Sequence, residues 1–276
     1  MTTADAQPTQ PIPDAWAVTT APAPRRRRAW PWIVAIVIVV GLAIVAWFAG
    51  EAIARNLVVK TIRDQVITQL ALPAGQDVRV DVPGPILPQL IGGTLGEVTI
   101  ASDDVPIGSF AGDVVVTAHD VPIRGGDMAG ATARVTLDEQ QLRELMATVD
   151  GFPAGSVGLA APNVTMSTQI SLFGVGFPVT VALTPSAVQG DLLLTPATLQ
   201  LAGASISADE LRQRFGQLSD AVLRDWTVCV AQYIPSGITL TDVAVQRATL
   251  VADFDIDGGI VSDPALQANG TCKSAS

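Results

Sequence analysis

Histidine is almost absent from this chain: His119 is the only one in 276 residues. That excludes an H-E-x-x-H zinc helix and any centre built on several imidazoles. Nucleophile signatures are missing too. Gly155-Ser156-Val157-Gly158 lacks the spacing of a G-x-S-x-G elbow, and no Lys-Ser/Thr follows Gly125-Gly126 to make a phosphate loop. His119 beside Asp120 is a general base in principle, but a lone histidine at a strand end is more often a solvated surface residue. No catalytic residue, metal or cofactor is therefore expected.

Charged residues make up 15% of the chain and aromatics 5%. The formal net charge is −10, unevenly spread. Residues 1–50 hold Arg25–Arg28 against Asp5 and Asp14, leaving −12 on the remainder. An acidic domain of this kind has no electrostatic footprint for nucleic acid, and anionic headgroups repel it at long range. Lipid contact would have to be made by apolar surface or a pocket.

Apolar residues are plentiful, at 49%. Trp30–Ala49 contains no charge, and as a helix it is ~30 Å long, the thickness of a hydrocarbon core. Trp30, Trp32 and Trp47 stand near its ends, where aromatic rings favour the interface. Arg25–Arg28 precede it, which places the N-terminus in the cytoplasm and the rest outside. The expected layout is a disordered cytoplasmic tail over 1–29, a membrane helix over 30–49 and an extracytoplasmic domain over 50–276. The competing reading is a cleaved signal peptide, since Ala52-Ile53-Ala54 has the A-x-A form. Against it, the apolar stretch exceeds an h-region, and no Cys directly follows as lipoprotein processing would need.

Cys229 and Cys272 are the only cysteines, both in the exported region. An even pair in an oxidising compartment is most simply a disulfide; two free thiols are the alternative.

Residues 51–71 repeat apolar positions at three- and four-residue steps and predict a helix. Strands are expected at 76–82, 95–101, 112–119 and 131–137, with a short apolar turn or one-turn helix at 86–91. Val105-Pro106-Ile107 and Val121-Pro122-Ile123 read as punctuation. A helix is expected over 138–149, closely spaced strands over 164–200, and a helix opened by Ser207 or Asp209 as cap, running through Leu218. A further helical stretch covers 219–231, and a hairpin-like pair, 237–246 and 248–255, closes the chain. Helices between runs of strands make an α+β fold rather than βαβ units. Asp253-Phe254-Asp255-Ile256-Asp257-Gly258 matches the first half of a calcium loop, but Pro264 stands where the bidentate Glu should be, so a strand followed by a turn is the better reading.

Several segments together resemble the LmeA-like phospholipid-binding proteins of actinobacterial envelopes. They are the Arg-rich stub and single span, V-x-V-x-V-P-G-P (Val78–Pro85), LPQLIGGTLGEVTI (Leu87–Ile100), GDVVVTAHDVPI (Gly112–Ile123) and CVAQYIPSGITLTDVAV (Cys229–Val245). The resemblance implies a curved antiparallel sheet packed on and wrapped around helices, as in tubular lipid-binding domains. It also implies phospholipid as ligand and a non-catalytic role in envelope lipid or lipoglycan biogenesis. Aliphatic candidates for a lipid pocket are Ile86, Leu87, Leu90, Ile91, Leu95, Val114 and Val116, for each of which an ordinary packed core is the plain alternative. Two other functions stay open: a structural or partner-binding envelope protein with a solid core, and a hydrolase using His119.

Overall fold

Forty consecutive residues, α1 (Trp30–Gln69), form one helix in the computed structural model of the chain. The model describes residues 30–69, 72–73, 75–107, 110–147, 154–172, 175–201, 204–216 and 225–272. The tail over 1–29, Val149 and Leu218 lie outside the described residues. The chain divides into two units between Trp47 and Phe48. In the first, the described side chains from Trp30 to Trp47 are all exposed. The helix is long and apolar enough to cross a membrane.

The second unit holds two antiparallel sheets. The first contains β1 (Val78–Asp81), β2 (Thr94–Ile107), β3 (Phe110–Pro122), β4 (Gly130–Asp138), β11 (Ile238–Gln246) and β12 (Thr249–Ile256), ordered β1-β2-β3-β4-β12-β11. The second contains β5 (Val157–Ala160), β6 (Asn163–Leu172), β7 (Val175–Val188), β8 (Asp191–Leu201) and β10 (Trp226–Val228), ordered β10-β8-β7-β6-β5. A short strand, β9 (Ala204–Ser207), also pairs with β8. The sheets approach where β11 lies against β7, and a backbone bridge joins Leu240 to Gly190.

Among the described residues this unit also holds α1 from Phe48 onward and the shorter helices α2 (Ile86–Gly92), α3 (Glu139–Ala147), α4 (Ala208–Phe215) and α5 (Pro264–Gln267). Ser207 Oγ accepts the Glu210 N–H at 3.1 Å and caps α4, as its position before the apolar run suggests. The α+β class with antiparallel sheets is as expected from sequence.

Two local expectations need correction. The Val-Pro-Ile segments do not interrupt strands. Val105 and Pro106 continue β2, with Pro106 opposite Ala111, and Val121 and Pro122 end β3, with Pro122 opposite Thr94. A proline is tolerated near a strand end, where few ladder N–H groups are needed. Helix is also wrong for Trp226–Val228, which pairs with Leu194, Leu193 and Leu192. An aromatic followed by two β-branched residues suits that pleated position. Residues 219–224 of the same expected stretch, and 217–218 of the helix expected before it, lie outside the described residues.

Candidate functional site

Alternation along each strand sorts the first sheet into two unlike faces. Directly paired residues of antiparallel strands share a face, so the register can be read straight across. One row runs Val80–Ile100–Val116–Ala133–Phe254–Leu240, apolar on all six strands. Beside it runs Val78–Ser102–Val114–Val135–Ala252–Val243, whose one hydroxyl, Ser102 Oγ, donates to Asp77 O at 2.9 Å. A third row, Val98–Ala118–Ala131–Ile256–Ile238, spans five strands. The reverse face carries Asp81–Thr99–Thr117–Thr132–Asp255–Thr239 and the Arg134–Asp253 pair. At a strand spacing of ~4.8 Å, the six-strand apolar row is ~24 Å wide, more than the ~15 Å depth of one leaflet's hydrocarbon.

The second sheet repeats the arrangement. Val157–Met166–Val181–Leu199–Ile206 crosses five strands on one face, and Gly158–Thr165–Ala182–Thr198–Ser207 crosses them on the other.

Two packed clusters cover parts of the first sheet's apolar face. In one, Ala54 of α1, Val82, Ile86, Leu95 and Val98 are buried, with Val58 and Ile62 against them. In the other, Leu142 of α3 packs between Leu137 of the first sheet and Val157 of the second. Val116, Ala133 and Phe254, in the middle of the row, belong to neither cluster and stay half-buried. Ala118, Ala131, Ala133 and Ala252 keep this floor low.

The seven aliphatic candidates separate accordingly. Ile86 and Leu95 are buried in the α1–α2 cluster, and Leu87 and Leu90 pack on it. Val114 and Val116 stand on the sheet face outside that cluster. Ile91, by contrast, is 82% exposed at the end of α2. Sequence reasoning missed Ala133, Phe254, Leu240 and the whole apolar face of the second sheet. The alternation in 131–137 and 250–256 was the available signal.

Polar clamps fix α1 and α2 against this core. Glu51 accepts N–H bonds from Ile86 and, at 3.0 Å, from Leu87, the first amides of α2. The Ile86 bond, then the Leu87 bond, lowers the Glu51 pKa from the ordinary carboxylate value, and the Arg55 charge adds to this. Arg55 donates to Val82 O at 2.7 Å and Gly84 O at 2.5 Å, and Arg63 donates to Val78 O at 2.7 Å. The V-x-V-x-V-P-G-P segment is thus tied to α1 along its length.

Clefts open elsewhere. One of about 470 Å³ is lined by His119, Thr132, Ser236, Thr239, Asp255 and Asp257, among others. A second, about 370 Å³, follows the polar face along Arg134 and Asp253, and a third, about 340 Å³, lies beside Cys229 and Cys272. None of these three is lined by the seven aliphatic candidates. His119 is half exposed, with Nδ1 3.9 Å from Glu97 Oε2. The would-be calcium loop is engaged otherwise. Arg134 grips Asp253 with two bonds of 2.6 and 3.0 Å, a pairing that raises the Arg134 pKa. Asp257 Oδ1 accepts the Gly259 N–H at 2.8 Å and caps a 3-10 turn over 258–261. Among the described residues no group of three or more His, Cys, Asp or Glu is placed to hold a metal. Cys229 and Cys272 form a disulfide with Cα atoms 5.9 Å apart.

No curated protein and no solved structure matches this chain. A family model does, that of the LmeA-like phospholipid-binding proteins, over residues 45–254. That stretch takes in α1 from residue 45, α2 and the described strands β1–β12 except the last two residues of β12. By this match over most of its length, the chain belongs to the LmeA-like phospholipid-binding family.

Proposed function

We propose that the protein is a membrane-anchored, non-catalytic phospholipid carrier or holder of the cell envelope, with residues 50–276 outside the cytoplasm. The observation that carries this reading is the apolar row Val80–Ile100–Val116–Ala133–Phe254–Leu240, whose middle lies in neither packed cluster. An acyl chain laid across its middle would meet the side-chain carbons of Val116, Ala133 and Phe254. It would displace water from a half-buried surface, at ~25 cal/mol per Å² of apolar area removed from solvent. Arg25–Arg28 before the uncharged run support the orientation. Family membership supports the ligand class, and a role in envelope lipid or lipoglycan biogenesis rests on that ligand class together with the anchor.

The test is photocrosslinking of the full chain in nanodiscs, using phosphatidylcholine with a carbene precursor midway along one acyl chain. Adducts should map to peptides holding Val116, Ala133 and Phe254 as well as to the span. Ala133→Phe, which raises the floor of the row, should remove the first set and keep the second. Adducts confined to the span in the unaltered chain would refute lipid binding by the sheet. They would favour the alternative of a packed structural or partner-binding protein, for which the burial of Ile86 and Leu95 is the supporting observation.

A further inference from the structure

One end of the first sheet gathers exposed aliphatic side chains, and α1 reaches the sheet at that same end through Glu51. Thr94 at the start of β2 lies opposite Pro122 at the end of β3, and Gly130 at the start of β4 lies opposite His119. Ile256 at the end of β12 lies opposite Ile238 at the start of β11. These termini, α2, the 123–129 turn and the 258–261 turn therefore share one rim. Backbone bonds tie its parts together: Ile123 N–H donates to Gly93 O at 3.0 Å and Met128 N–H to Gly258 O at 3.2 Å. Ser262 Oγ also donates to Asp127.

Ile91 at this rim is 82% exposed, Val261 56% and Ile123 43%. A single exposed aliphatic residue is ordinary. Three on one rim, from three segments distant in sequence, call for a partner. At the opposite end, the described turn between β11 and β12 presents Gln246, Arg247 and Ala248 instead.

What the rim faces follows from where α1 joins it. Glu51 holds the first amides of α2, and a Cβ on Gly50 would lie 3.5 Å from Leu87 Cδ1. The rim thus sits beside the residues at which the uncharged run ends, with Phe48 exposed just before them. We infer that Ile91, Ile123 and Val261 dip into the bilayer surface from which α1 emerges, so that the sheet stands on the membrane by this rim. The inference rests on the anchor reading of α1. Asp120, Asp127 and Asp263 outnumber Arg124 among these exposed charges nearby, so insertion of aliphatic groups, rather than attraction to anionic lipid, drives the contact. A zwitterionic bilayer suffices.

The full chain in phosphatidylcholine nanodiscs provides the test, with one environment-sensitive fluorophore per variant at Ile91→Cys, Ile123→Cys, Val261→Cys, Arg247→Cys or Val39→Cys. The three rim labels should shift to the blue and lose most of their emission when headgroup-nitroxide lipid is included, while the label at 247 does neither. The label at 39 should be quenched by a nitroxide deep in the acyl chain. Rim labels as unquenched as the one at 247 overturn the inference. With the label at 39 quenched, the anchor stands without the rim contact; with it unquenched, the anchor reading falls as well. Rim labels shifted to the blue yet untouched by nitroxide lipid would mean a protein partner, and would equally overturn the membrane contact.

Discussion

Glu51 accepts the backbone N–H of Leu87 at 3.0 Å, across 36 positions of sequence. The preceding residue of α2, Ile86, donates to the same carboxylate. Pro85 at the N-cap provides no side-chain bond, so the opening amides of α2 find their acceptor on α1 instead. A carboxylate at a helix N-terminus is also favoured by the helix dipole. The seam between α1 and the first turn of α2 is therefore closed by one charged group, while Arg55 and Arg63 hold the β1 segment to the same helix.

That seam should respond to acid. The bonds to Ile86 and Leu87 hold the Glu51 carboxyl more acidic in the folded chain than in the unfolded one. Their stabilisation is complete above the ordinary glutamate pKa of about 4.3 and is lost as pH falls through the lowered folded value. Hydrogen exchange at the Ile86 and Leu87 amides, corrected for intrinsic pH dependence, should lose protection in that acidic window. Glu51→Gln should show no such step. Identical profiles for the two proteins would mean the charge does not hold α2.

Two isoleucines five positions apart should differ sharply. Ile86 is fully buried and Ile91 is 82% exposed. Ile86→Ala should cost about 2–5 kcal/mol in denaturant unfolding, as large-to-small core changes do. Ile91→Ala should stay within about 0.5 kcal/mol. Similar losses at both sites would contradict the packing of α2 described above.

Gly258 has no room for a side chain. A Cβ there would lie 1.8 Å from Met128 O, whereas one on Gly92 meets nothing within 4 Å. Gly258→Ala should destabilise by at least the ~1–3 kcal/mol typical of overpacking and loosen the 127–130 backbone. Gly92→Ala should be neutral or slightly stabilising. Urea melts of the two variants, run side by side, provide the comparison.

The disulfide closes a separation of 43 residues. By loop-closure entropy, replacing both cysteines with serine should cost about 4 kcal/mol. Limited proteolysis should then cut between Pro264 and Cys272 before the strands are touched. An unchanged melting temperature and cleavage pattern would show that other contacts already fix this tail, such as the Pro235–Asn269 bridge.

Much of this was legible in the sequence because it is local. V-x-V alternation marks β1, and Pro85 followed by I-L-P-Q-L-I marks a turn or short helix where α2 stands. Ser207 three positions before Glu210 marks the cap of α4. The Glu51–Leu87 bond was not legible, since neither residue signals the other. Nor was the apolar row, because register between distant strands depends on tertiary pairing. Alternation shows that Val116 and Phe254 each face a core, but only Ala133 between them makes them neighbours. Trp226–Val228 was misread because a short apolar stretch fits either period, and its partner strand at Leu192–Leu194 decides the matter.

Leu142 has a wider consequence. It is 3% exposed, and the residues that bury it, Leu137 and Val157, come from different sheets. Arg143 and Glu139 of the same short helix bind the backbone of β5 at Val157 O and Leu159 N. Neither sheet can shed its solvent-excluded side without stripping α3 from the other. The twelve strands should accordingly melt in a single cooperative transition, with no half-folded species carrying one sheet alone.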